Sequence, residues 1–160
     1  MGIKVLEETL ESEAITSLGH FDAITLWDVI EHSTDPLVAV RRAYQLLAKG
    51  GILVLRTPNM NFHHMRIRFF PWIGRREGRN IYLDAPLHLF GFSPSNIRML
   101  LHKVGFDEIE IMTGEPRQAG GKPSRFARSV LYYFAKVLSF LTFGKLILSS
   151  SMLVIARKWG

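Results

Sequence analysis

FDAITLWDVIEH, residues 21–32, is a run of strand-forming apolar residues that stops on a tryptophan, two acids and a histidine. Apolar residues dominate from Phe21 to Val29 rather than alternate, which predicts a strand buried on both faces. Asp35-Pro36 then opens a helix, with Asp35 as N-cap and Pro36 in the first turn. Leu37, Val40, Tyr44 and Leu47 recur at helical spacing, and Gly50-Gly51 reads as the helix stop. Ile52-Leu53-Val54-Leu55 is a second continuous apolar strand, running out at Arg56-Thr57-Pro58-Asn59. A strand–helix–strand unit of this kind implies a right-handed crossover in a parallel sheet. Ligands of such sheets bind beyond the carboxyl ends of the strands. The ends at 27–32 and 57–59 are therefore expected side by side on a functional rim.

The rest of the chain sets the bounds. Its 160 residues allow one core, and 48% hydrophobic content with a mean hydropathy of +0.12 fits a globular protein carrying a greasy surface or segment. Cysteine is absent, which excludes disulfides and thiolate metal sites. Met1-Gly2-Ile3-Lys4 leads directly into acidic sequence with no apolar stretch behind the charge, so no leader is expected and the location reads as cytoplasmic. The net charge of +6 is unevenly spread: residues 1–35 hold eight acids against Lys4 as the only base, while eight Lys or Arg and no acid follow Glu115. Such a basic third suits an anionic surface, whether phosphate, lipid headgroup or nucleic acid; a plain solvated face is the other account.

Residues 3–6 form a short apolar run, and 7–18 read as helix or loop. Residues 60–92 read as a long irregular segment whose stretch from Arg66 to Arg79 holds Arg66, Arg68, Arg75, Arg76 and Arg79 with Glu77 as its one acid; loops of this length are usually lids or binding loops. Ser93-Pro94 restarts a helix with Ile97, Leu100, Leu101 and Val104 on one face and Gly105 as its left-handed terminator. Residues 108–112 alternate as a strand with one wet face, and 114–124 are linker-like. Residues 126–148 are apolar and aromatic but interrupted by Lys136 and Lys145, a poor membrane span. A helical hairpin packed on the sheet and an interfacial helix peripheral at a membrane both remain open. Residues 152–156 close as a last strand.

FDAITLWDVIEH, DP at 35–36, LLAKGG at 46–51, RTPN at 56–59, HLFGFSP at 88–94, LLHKVGF at 100–106 and LVIARK at 153–158 occur in this order. Together they resemble the second half of a class I S-adenosylmethionine-dependent methyltransferase, of the ubiquinone-biosynthesis type and its relatives acting on surface polysaccharides. The resemblance implies an α/β, Rossmann-like sheet, mostly parallel with an antiparallel last strand. It makes residues 3–6 the third family strand, FDAITLWDV the fourth, GILVLRTPN the fifth, 107–113 the sixth and 152–158 the seventh. The chain then reads as one partial methyltransferase domain over 1–160, with a lid-like insertion at 60–92 and an apolar helical insertion at 126–148. The family's Gly-x-Gly-x-Gly cofactor loop has no counterpart, because none of the 13 glycines forms a Gly-x-Gly pair. That loop and the first strands are expected upstream of Met1, as in a fragment.

The resemblance also implies roles. S-adenosylmethionine is the cofactor, and Trp27, with Asp28 and Val29 beside it, lies against it; a flat apolar ring suits the adenine or the methionyl arm. A Trp27 that only fills the core is the alternative. Glu8, or Glu7, stands where an acid meets the adenine amino group, unless it is simply a solvated loop acid. Asp28, Glu31 and His32 form a D-x-x-E-H set able to hold Mg²⁺; ordering of the loop by hydrogen bonds is favoured over a metal, since methyl transfer from a sulfonium needs none. His88 is the candidate general base, against a structural His that caps a loop, and Asn59 the residue that orients the acceptor. The expected acceptor is a small molecule, free or linked to lipid or sugar. Interleaved Arg and aromatic residues at 66–79 can pair with its anionic groups; single-stranded nucleic acid ranks well below. A non-catalytic module that binds a partner chain or membrane through 126–148, or associates with itself along an exposed sheet edge, is the competing expectation.

Overall fold

The computed structural model describes residues 2, 5–69, 75–76, 79–80, 88–115, 122–142 and 147–159. Its main sheet has four strands: β1 (Phe21–Trp27), β2 (Leu47–Pro58), β5 (Glu108–Thr113) and β6 (Ser151–Arg157), in the order β1-β2-β6-β5. The first two run parallel, and β6 lies antiparallel between β2 and β5. β1, β2 and β5 therefore share one direction and the last strand opposes them, as expected.

The helix between the parallel strands, α1 (Pro36–Leu46), starts as the sequence predicts: the Asp35 carboxylate accepts from the N–H groups of Leu37 and Val38. Its buried face is set by Pro36, Ala39, Val40, Ala43 and Leu46, while Leu37 and Tyr44 are only half-buried. The helix ends at Leu46, four residues before the glycines expected to stop it. Lys158 explains the early stop, because its ammonium donates to the carbonyls of Tyr44 and Leu47 at 2.9 and 2.7 Å, partners that helix ends otherwise lack. Gly50 and Gly51 belong to the strand. Gly50 has φ 79°, and a side chain on Gly51 would meet the carbonyls of Ala48 and Phe21 at 2.9 and 3.1 Å, where the β1–β2 register slips.

β1 is not buried on both faces. Leu26 alone of its residues is buried, because the strand is the sheet's edge and pairs with β2 on one side only among the described residues. Nor do the described residues of 3–6 make a third strand: Val5 and Leu6 are exposed coil, and Ile3 and Lys4 lie outside the described residues. The core lies instead between β2, β6 and β5 and the helices α1 and α3 (Pro94–Val104), with Leu53, Leu55, Ile97, Leu101, Phe106 and Val154 almost wholly enclosed. α3 starts at Ser93-Pro94 and ends at a left-handed Gly105 as expected, and its start is closed by a reciprocal Ser93–Asn96 cap.

The segment expected to be irregular begins as a helix, α2 (Met60–Phe69), and includes a two-stranded ribbon of β3 (Arg75–Arg76) and β4 (Arg79–Asn80). The remainder of 70–87 lies outside the described residues. Residues 122–124, read as linker, open α4 (Lys122–Leu141), one helix rather than a hairpin within the described part of 126–148. α4 sits by β5, burying Ala135 and leaving a row of large apolar side chains in the open. No described helix is long and apolar enough to cross a membrane.

Candidate functional site

The rim forms where β1 and β2 end together. Trp27 is the register partner of Arg56, and its side chain is 53% exposed. Asp28 then turns the backbone to φ 53°, an unusual angle for a non-glycine residue. Two contacts to one residue hold it there: its N–H donates to the Arg56 carbonyl at 2.9 Å, and its carboxylate lies 3.1 Å from the Arg56 guanidinium. This reversal ends the strand at Trp27, two residues early, and leaves Trp27 and Val29 projecting as apolar surface at the strand's carboxyl end.

Residues Ile30–His32 make a single 3-10 turn that buries Glu31 beneath this surface. The Thr57 hydroxyl donates to the Glu31 carboxylate at 3.1 Å, and burial raises that carboxyl's pKa above its ordinary value. The Glu31 main-chain carbonyl in turn accepts from the N–H groups of Leu89 and Phe90, at 2.9 and 3.1 Å. That fork ties the HLFGFSP segment to the rim and sets the His88 ring 5.0 Å from that of His32, centroid to centroid. Ligand atoms of Glu31, His32 and His88 lie within 4.8 Å of one another.

The D-x-x-E-H set does not converge as a set, since Asp28 is engaged by Arg56 and His88 takes its place in the cluster. Two imidazoles and a carboxyl of raised pKa do not suit Mg²⁺, which demands hard oxygen ligands, and no step is assigned to a metal. Asn59 is wholly enclosed beneath the rim. Its amide donates to the Ile147 carbonyl at 2.9 Å, while its side-chain oxygen has no hydrogen-bond partner among the described residues. Glu8 is exposed and lines a hollow with Phe21, Ala23 and Ile24. Those residues precede Trp27 by at least three strand positions, about 10 Å at a strand's rise, so Glu8 is not brought to the rim.

Sequence reasoning missed His63. This α2 residue is buried, its Nε2 donates to the Ser150 carbonyl at 3.0 Å, and burial lowers its pKa to about 4. The signal that could have found it is position: His63 stands four residues after Asn59, one helical turn beyond the carboxyl end of β2.

A family model described as a methyltransferase domain matches residues 3–111, well over half of the chain. The chain belongs to this methyltransferase-domain family. Among curated relatives, a ubiquinone biosynthesis O-methyltransferase of Psychrobacter cryohalolentis is 42% identical over 52 residues, covering 32% of this chain and 20% of that protein. The Escherichia coli K12 protein of the same name is 37% identical over 62 residues, 38% of this chain and 26% of the relative. The matches thus span about a quarter or less of those relatives' length. Among solved structures, a SAM-dependent methyltransferase of Thermotoga maritima, described as a possible histamine N-methyltransferase, aligns with a TM-score of 0.61 at 20% identity, over 98% of this chain and 65% of that one. A second, from Archaeoglobus fulgidus, aligns at 0.55 and 15%, over 96% and 66%. At these identities the likeness concerns the fold, a Rossmann-like methyltransferase sheet.

Proposed function

We propose that this methyltransferase-family chain carries one wall of an S-adenosylmethionine site and serves methyl transfer to an oxygen or nitrogen of a small acceptor, free or linked to lipid or sugar. The observation that carries the reading is the exposed Trp27–Val29 surface, fixed by the Asp28–Arg56 pair at the carboxyl end of β1. Its flat ring and aliphatic neighbour fit the adenosyl group, whose faces are apolar. When bound, the cofactor supplies a sulfonium methyl that moves to the acceptor in an in-line displacement, leaving S-adenosylhomocysteine. The chain's part is to position the acceptor and take its proton. His88 is the residue to accept that proton, since it stands at the rim, is half-buried, and is held by the fork at the Glu31 carbonyl. Asn59, being enclosed, acts by fixing the 147–150 segment under the rim rather than by touching the acceptor.

Titration calorimetry of S-adenosylmethionine into the purified 160-residue chain tests this reading. Binding near one to one, weakened about tenfold by Trp27→Ala, is the expected result. Equal binding by both proteins overturns the assignment of Trp27. A chain that binds none at millimolar cofactor favours the second reading, a non-catalytic module, which the open edge of β1 supports.

A further inference from the structure

We infer that α4 docks the protein on the surface of an anionic lipid bilayer. In an ordinary surface helix the apolar stripe faces the core and the polar face meets water. α4 is turned the other way. Ala135 is 1% exposed against the body of the protein, while Val130, Tyr133, Phe134, Val137, Phe140 and Leu141 are all at least half exposed, Phe140 by 82%. Their spacing of three, one, three, three and one places them on a single helical stripe about 120° wide. Six large apolar side chains aligned on the solvent side form the kind of patch that marks an interaction surface.

Charge selects the occupant. From residue 116 onward the sequence has no acid and eight Lys or Arg, four of them within α4. Pairing two copies through this stripe would bring together two basic segments that have no carboxylate of their own. An anionic headgroup layer supplies the missing negative charge. Lys136 is exposed beside the stripe with its ammonium 6.0 Å from the Tyr132 ring, so a helix lying flat can bury the stripe and keep the cation at headgroup level. The helix lies on the bilayer and does not cross it, since it is not apolar enough to span. Docking of this kind does not depend on methyl transfer.

Vesicle flotation of the full chain tests it, with phosphatidylglycerol–phosphatidylcholine and with pure phosphatidylcholine vesicles. The chain is expected to float with the mixed vesicles and stay down with the neutral ones. Lys136→Glu should lower the partition about tenfold, and raised salt should do the same. The double variant Phe134→Glu, Val137→Glu should abolish flotation while leaving the circular dichroism spectrum unchanged. Because the sequence has no cysteine, Phe140→Cys gives a unique position for an environment-sensitive dye, whose emission should shift to the blue on the anionic vesicles alone. Lipid docking is overturned by equal flotation of the double variant, by equal capture on neutral vesicles, or by a dye unmoved by lipid. It is also overturned if the stripe proves to pair with protein: a concentration-dependent dimer that the double variant abolishes, with no vesicle binding.

Discussion

Glu31 and His63 are buried ionisable residues whose pH effects oppose each other. Glu31 anchors two segments, through its carboxylate to Thr57 and through its carbonyl to residues 89–90, and burial raises its pKa. The folded state therefore holds that proton more tightly than the unfolded chain, and the stability it contributes is lost as pH rises above the ordinary value of 4.5. His63 has the reverse sign. Its pKa falls from 6.5 to about 4, so below pH 6.5 the unfolded chain takes up the proton first and stability falls with pH until about 4. At 1.36 kcal/mol per pKa unit the full loss is about 3 kcal/mol. Urea unfolding from pH 7 to 4 should show that acid-side loss reduced in His63→Gln, and an unchanged slope would show that His63 is not held neutral. Glu31→Gln should do the opposite, steepening the loss on acidification, because the opposing contribution is gone.

At the scale of elements, the helix starts were legible in the sequence and the strand environments were not. Asp35-Pro36 and Ser93-Pro94 are short-range signals, whose cap side chains accept from main-chain N–H groups two or three residues on, and both helices begin where those residues stand. Gly105 is legible for the same reason. It sits at φ 116°, with the Tyr44 ring 3.3 Å from where a side chain would begin, so Gly105→Ala should cost about 1–2 kcal/mol in chemical denaturation. The apolar run of β1 carried no information about how many neighbours the strand has. Likewise the end of α1 depends on Lys158, more than a hundred positions away. At the candidate site, the D-x-x-E-H spacing suggested one cluster, but Asp28 faces a guanidinium on β2 and His88 arrives from a distant segment. Local chemistry can be read along the chain; partners across the sheet cannot.

For the whole molecule, the outer edge of β1 is the exposed liability among the described residues, flanked by Phe21, Trp27 and Val29. Unpaired strand edges recruit other strands, and a charge on the edge suppresses it. Thr25 is exposed on this strand, so Thr25→Lys should reduce any concentration-dependent association seen by sedimentation velocity while leaving the unfolding free energy within about 0.5 kcal/mol of the parent. A larger sedimenting species unaffected by the lysine would place the contact elsewhere.

The antiparallel β6 also sets an order of events during synthesis. Among the described residues it is the one strand that links β2 to β5, so until residues 151–157 leave the ribosome β5 has no described strand to pair with and β2 has β1 alone. Ile109 and Ile111, buried in the finished sheet, have no described strand to pair beside until that late segment is made. The four described strands are then joined from the middle by a seven-residue segment, and the residue directly after it, Lys158, closes α1.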